Sequence, residues 1–195
     1  MGKLIVISGP AGCGKDSIIQ GVFDKAREEA ATCSIDALDK ELVYSVSITT
    51  RAIRPGEIEG VHYFYRSREE FEKLIALERF IEYTEYCGNY YGTCKDMVMS
   101  ELENAKAIIL NIECEGAENI KSLFPDALLI FIMPPSFEEL RVRLEARDTE
   151  DARTINRRMF RAKEEMSYAK EFNYQVVNDD LHKAVNEVYE IIKNN

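Results

Sequence analysis

Histidine is scarce in this chain: among 195 residues only His62 and His182 carry an imidazole, and tryptophan is absent. Two imidazoles are too few for a histidine-rich metal centre and make a histidine-based triad a poor expectation. Cysteine is present but not organised. Cys13, Cys33, Cys87, Cys94 and Cys114 are odd in number and show no Cys-x-x-Cys spacing, so free thiols in a reducing compartment fit better than disulfides or zinc. Positive charge is short as well, with 25 Lys and Arg against 35 Asp and Glu and a formal net charge of −10. That balance argues against nucleic acid or a membrane surface as partner, both being polyanions, and any anionic ligand must meet locally concentrated cations. Long apolar runs are missing too. The N-terminal run 3–8 is too short for the apolar region of a secretory signal, and no segment approaches the ~20 residues of a membrane span. The expected location is therefore the cytoplasm.

What is present suffices for a packed core. The chain is 46% hydrophobic and 31% charged, which excludes general disorder, and its length suggests one domain with small insertions. Near-continuous apolar runs at 3–8, 107–113, 127–133 and 174–177 read as strands covered on both faces. They alternate with helical patterns over 14–31, 116–124, 136–147, 152–171 and 180–193. This alternation predicts an α/β fold, a parallel sheet flanked by helices. Ser136 with Glu139, after Pro134-Pro135, and Ser67 with Glu70 have capping-box spacing. The middle of the chain is different. Residues 43–48 and 61–65 alternate across a polar loop holding Pro55-Gly56, a helix is predicted over 67–78, and 80–86 with 88–93 form two further strands. A small mixed α/β subdomain, about residues 44–96, is thus expected within a core made of 1–43 and 97–195. Such an insertion is a place to hold a second ligand.

The stretch Gly9-Pro10-Ala11-Gly12-Cys13-Gly14-Lys15 links the first strand to the first helix. A glycine-rich turn there points backbone N–H groups inward and, with the helix N-terminus, forms an anion site. Lys15 reaches the β- and γ-phosphates of a bound nucleoside triphosphate. The motif ordinarily continues with a Ser or Thr whose hydroxyl sits on magnesium; here Asp16 takes that place and Ser17 follows. Asp16 and Ser17 are the candidate Mg2+ ligands, directly or through water. The ordinary reading of Asp16 is a carboxylate suited to a helix N-terminus.

Two further motifs are Thr49-Thr50-Arg51-x-x-Arg54-x-Gly56-Glu57 and Gly88-Asn89-Tyr90-Tyr91-Gly92-Thr93. Taken singly their residues have plain readings: loop arginines as solvated surface, hairpin tyrosines as packing, Glu82 in an alternating strand as a solvent-facing charge. Together with the glycine-rich loop they make the chain resemble the guanylate kinase family, from Ile5 through Val177-Asn178-Asp179-Asp180. The resemblance implies a P-loop core, a GMP-binding insertion, and an arginine-bearing lid at about residues 143–160. It implies ATP-dependent phosphorylation of GMP, and of dGMP, to the diphosphate in purine nucleotide metabolism, by a monomer or small homo-oligomer. Ser47, Glu82 and Thr93 would then face the guanine base, and Arg51, Arg54, Tyr63 and Tyr91 would hold the GMP phosphate. Glu113 would lie beside the guanine amino group, and Asn178 would contact the adenine of ATP. Lys15, Arg51, Arg143, Arg147 and Arg158 would be the catalytic cations around the transferring phosphoryl group.

Elementary chemistry agrees with these roles. Guanine offers N1–H and its 2-amino group side by side, a pair of donors that one carboxylate accepts and that adenine lacks. Arginines three apart in a loop can bring planar donor forks onto one phosphate.

The chain departs from the family pattern at three places. Ala146-Arg147-Asp148 stands where Gly-Arg-Gly is usual, so a stiffer lid hinge is expected. Asn111 replaces a usual acid while Asp16 adds one, so a preserved charge around the metal is expected. The connection over 28–41 is longer than usual and suggests no function. Two other readings are a guanylate-kinase-like phosphopeptide-binding module without catalysis and a kinase for another phosphate ester. The first typically lacks an intact phosphate loop; the second needs no purine-reading face.

Overall fold

A computed structural model describes residues 2–31, 42–104, 107–146 and 151–195. A five-stranded sheet has the order β2 (Leu42–Ser45), β7 (Ala107–Asn111), β1 (Lys3–Ser8), β8 (Leu128–Met133), β9 (Tyr174–Val177). Leu42–Ser45 runs parallel to 107–110, and Met133 pairs in parallel register with Val177. Its central strands are buried as their apolar runs require: Ile5, Val6, Ile7, Ile130, Phe131 and Ile132 have no exposed surface. Each such side chain stabilises the fold by about 1.5–3 kcal/mol relative to exposure.

The chain forms two compact units, Met1–Val6 with Glu41–Ala127, and Ile7–Lys40 with Leu128–Asn195. The first unit carries a second sheet, in the order β4 (Phe64–Tyr65), β3 (Ile48–Thr49), β6 (Asn89–Cys94), β5 (Phe80–Tyr86). Helix α2 (Arg68–Ala76) packs Phe71 between the rings of Phe80 and Tyr90, at centroid distances of 4.4 and 5.1 Å. Ser67 and Glu70 form the full capping box expected there. Helices α3 (Lys95–Glu103) and α4 (Cys114–Leu123) complete this unit.

The second unit holds α1 (Lys15–Ala31), α5 (Phe137–Glu145), α6 (Ala152–Tyr168), a 3-10 turn at Ala169–Glu171, and α7 (Leu181–Asn194). Leu140, Leu144, Ile155, Met159 and Ala162 make its α5–α6 core. Ser136 caps α5 through Glu139 N at 3.1 Å, but the Glu139 carboxylate accepts from Arg143 instead of returning to the cap.

Four sequence expectations change. The run 43–48 is not one strand: Leu42–Ser45 joins the large sheet and Ile48–Thr49 the small one. Period-2 alternation continues through the switch and cannot say which partner each half takes. The run 61–65 shrinks to Phe64–Tyr65, because the N–H groups of Val61 and His62 both turn back to Ile58 O. Helix α3 was not expected. It buries only Val98 and Leu102 and starts at Cys94 without a side-chain cap, so its pattern is weak. The second long apolar run ends early, at Asn111, which leaves Glu113 as the N-cap of α4.

Candidate active site

The phosphate loop spans the gap between β1 and α1, which end and begin at Ser8 and Lys15. Gly9 and Gly14 have φ of 139° and 96°, conformations that side chains disfavour. Space forbids a side chain as well: a Cβ on Gly9 would lie 2.2 Å from Ile132 O, and one on Gly14 2.3 Å from Asn178 Nδ2. The loop is closed by Cys13 N donating to Pro10 O at 3.1 Å. The Lys15 ammonium donates to the carbonyls of Gly9 and Pro10. Pro10 and Cys13 are buried, while Ala11 and Gly12 are half-buried. Burial raises the Cys13 thiol pKa, outweighing the lowering influence of Lys15, so Cys13 is a packing residue and not a nucleophile. Asp16 and Ser17 are exposed in the first turn of α1.

Asn178, the adenine contact implied by resemblance, is tied to the phosphate loop. It is 5% exposed, its backbone N–H donates to Met133 O at 2.8 Å, and its Nδ2 donates to Cys13 O at 2.8 Å. Its amide thus braces the phosphate loop.

The lid arginines are not equivalent. Arg143 on α5 donates to Glu139 Oε1, one turn back, at 2.9 Å. Arg158 is half-buried on α6. Arg147 lies outside the described residues.

In the first unit, β5 buries alternate side chains: Glu82, Thr84 and Tyr86 face inward while Tyr83 and Glu85 face solvent. Antiparallel pairing sets Glu82 opposite Thr93 and Thr84 opposite Tyr91, so Glu82, Thr93 and Tyr91 share one face. Thr93 Oγ1 donates to Glu82 Oε1 at 2.5 Å, with both side chains buried. Burial, helped by the nearby Glu113 carboxylate, pushes the Glu82 pKa up to about 7 against the pull of the Thr93 hydrogen bond. Ser47, also buried, sits just before β3 and accepts from Phe64 N through its carbonyl at 2.9 Å.

The arginine motif is tied down by its own residues. Thr49 Oγ1 donates to Tyr90 O at 2.9 Å and accepts from Arg51 N at 3.2 Å. Thr50 Oγ1 accepts from Tyr90 N at 2.8 Å. Arg51 meets Glu57 with both ends of its fork, at 2.7 and 3.0 Å. Glu57 also accepts from Arg54 N at 2.7 Å and Tyr65 Oη at 2.8 Å. Burial of Glu57 opposes its ionisation, yet the hydrogen bonds from Arg51, Arg54 N and Tyr65 hold its pKa down to about 2. The Tyr65 phenol is pushed up to about 12 by burial and by the Glu57 carboxylate. The Arg51 guanidinium lies 5.3 Å from the Tyr63 ring centre, and Tyr63 meets Tyr91 edge-on at 5.9 Å. Arg51, Tyr63 and Tyr91 are therefore one cluster, and Arg54, half-buried, is bound to it by its backbone.

Sequence reasoning missed Glu57 and Tyr65 as members of this cluster. The signal for Glu57 lay inside the quoted motif: a carboxylate six residues from an arginine in a turn-rich loop. Tyr65 carried none beyond its strand alternation.

The two clusters have the chemistry of a triphosphate cradle and of a site for a base-bearing phosphate monoester. Comparison with known proteins gives the family. The guanylate kinase family profile matches residues 1–195. A guanylate kinase from Trichormus variabilis is 44% identical over 94% of this chain and 86% of its own length. One from Streptococcus pneumoniae is 42% identical over 98% and 86%. The crystal structure of guanylate kinase from Anaplasma phagocytophilum superposes with a TM-score of 0.76 at 29% identity, covering 99% of this chain and 85% of that one. With a profile match over its whole length and relatives above 40% identity, the chain belongs to the guanylate kinase family.

Proposed function

We propose that this chain transfers the γ-phosphoryl group of ATP to GMP, and to dGMP, giving ADP and the guanosine diphosphate. The observation that carries this reading is the buried Glu82–Thr93 pair. A carboxylate with so little solvent needs a donor partner when ionised, and the N1–H and 2-amino group of guanine supply two. Thr93 aligns the carboxylate, Ser47 lies buried nearby in sequence to β3, and Glu113 adds a second acceptor for the amino group.

The GMP phosphate is the nucleophile. Arg51 and Arg54 neutralise it, with Tyr63 and Tyr91 as uncharged donors, and Glu57 fixes the direction of the Arg51 fork. On the donor side the backbone N–H groups of the loop glycines and the start of α1 hold the β- and γ-phosphates, and Lys15 moves from loop carbonyls to phosphate oxygens. Arg147 and Arg158 stabilise charge that develops on the transferring group.

Among the described residues no group of three or more His, Cys, Asp or Glu could cage a metal. Magnesium prefers oxygen ligands and keeps several of its waters. Asp16 and Ser17, exposed beside the loop, would supply oxygen ligands to it, directly or through water. When bound, the ion screens the phosphate charge. Calorimetric ATP affinity with and without magnesium tests Asp16: equal magnesium dependence in Asp16→Ser and wild type removes it from the metal site.

No described helix is long and apolar enough to cross a membrane, and we place the reaction in the cytoplasm. The phosphopeptide-binding alternative is disfavoured because Gly9, Gly14 and Lys15 are all kept. The deciding experiment is a coupled ADP-release assay with ATP, magnesium and each of GMP, dGMP, AMP, UMP and CMP. Turnover with the two guanine nucleotides alone is expected; turnover with none of them sinks the proposal.

A further inference from the structure

Helix α4 carries a glycine, Gly116, in its N-terminal half. Its φ is not in the left-handed region, so conformational freedom does not explain it. In a helix interior alanine is the better residue. Space does explain it. A Cβ at residue 116 would lie 2.4 Å from Glu82 Oε2 and 3.1 Å from its Cδ, while the next neighbour, Ile112 Cδ1, is at an ordinary 3.4 Å. The helix and the strand thus meet at the carboxylate itself. Glu82 is held from two directions: its Oε1 accepts from Thr93 Oγ1 at 2.5 Å, and its Oε2 occupies the volume where a side chain at 116 would be.

We propose that Gly116 is a positioning residue for guanine recognition, its missing side chain setting where the Glu82 carboxylate sits. The proposal rests on the reading of Glu82 as the base-reading group. A methyl at 116 closes the volume that Oε2 uses. The carboxylate must then rotate away from Thr93 or advance toward the ligand. In both cases the two oxygens lose their alignment on N1–H and the 2-amino group. A bidentate contact is the one most sensitive to such a displacement.

A double-mutant cycle on the full chain tests this, using Gly116→Ala, Glu82→Ala and the combination. The expected result is a rise of about tenfold or more in the KM for GMP in Gly116→Ala, with the KM for ATP unchanged. The preference for GMP over IMP, which lacks the 2-amino group, should shrink in the same variant. In the Glu82→Ala background the added Gly116→Ala should change the KM for GMP by less than about twofold, because no carboxylate remains to displace. An equal loss in both backgrounds overturns the proposal, and so does a wild-type KM in Gly116→Ala when Glu82→Ala is impaired. A wild-type KM in Glu82→Ala instead brings down the reading of Glu82 and the proposal with it. Thermal melting covers the case in which Gly116→Ala does not fold. Folding restored in the double variant supports the wedge, and folding lost in both overturns it.

Discussion

The side-chain amide of Asn178 donates to the carbonyl of Cys13 at 2.8 Å, joining the end of β9 to the phosphate loop. The same nitrogen fills the space above Gly14 that a Cβ would need. A residue placed at the adenine by resemblance is therefore also a structural support of the loop. Asn178→Ala leaves Cys13 O without this donor and opens a gap beside Gly14. The expected cost in ATP binding is about 1–2 kcal/mol, with GMP binding unchanged, read by calorimetry with each nucleotide alone. An equal loss for both nucleotides would instead mark a general folding defect.

Glu57 collects Arg51, Arg54 N and Tyr65 onto one carboxylate. Its folded pKa of about 2 lies below its ordinary value. The stability it confers is therefore present above the unfolded pKa, near 4.5, and is lost as pH falls toward 2. Glu57→Gln should flatten this acid limb in chemical denaturation at a series of pH values. The fork geometry gives a second expectation. Arg51→Lys keeps charge but not the planar pair of donors, so it should lower kcat/KM for GMP as Glu57→Gln does. Wild-type activity in Arg51→Lys and in Arg54→Lys would refute the bidentate picture.

Glu82 has the opposite sign. Its pKa is raised to about 7, chiefly by burial. Its contribution to stability is whole below the unfolded pKa and is lost as pH rises through about 7, where the buried carboxyl must ionise. Guanine donors favour the ionised form, so GMP affinity should fall as pH drops below 7. Glu82→Gln should lose about 1–3 kcal/mol of transition-state stabilisation with GMP and should show no such pH dependence. Titrating GMP affinity from pH 5.5 to 8 in both proteins checks this; parallel profiles would exclude Glu82 as the titrating group.

Much of this was legible in the sequence because the signals were local. The strands 3–8 and 174–177 and the Ser67–Glu70 cap depend on runs and spacings that tertiary context did not alter. The phosphate loop was legible for the same reason, since its glycines and Lys15 lie in one short run between β1 and α1. What stayed hidden depends on partners distant in sequence. Alternation made Glu82 a solvent-facing candidate, and only its register against Thr93 puts it inside. Asn178 meets Cys13 across the second unit, and Gly116 meets Glu82 across a helix–strand contact. No spacing rule encodes such encounters. The switch of 43–48 between two sheets is another case, because the pattern is continuous while the partners change.

The lid arginines should separate by their present partners. Arg143 is committed to Glu139 at 2.9 Å on the same helix face, a surface i,i+4 pair of the kind that contributes a few tenths of a kcal/mol. Arg158 is half-buried on α6, whose buried stripe Ile155, Met159 and Ala162 locks the helix against α5. A cation on a fixed helix is better suited to meet charge that appears only in the transition state, because no reorganisation is needed at that moment. Arg158→Ala should therefore lower kcat by about two or more decades with little change in GMP affinity. Arg143→Ala should lower it by about one decade or less, since the arginine must first leave Glu139 to act. Single-turnover rates with saturating ATP and GMP, alongside equilibrium GMP binding, give both quantities. Equal losses in GMP binding and in kcat for Arg158→Ala would place that arginine in the acceptor site and not over the transferring phosphoryl group.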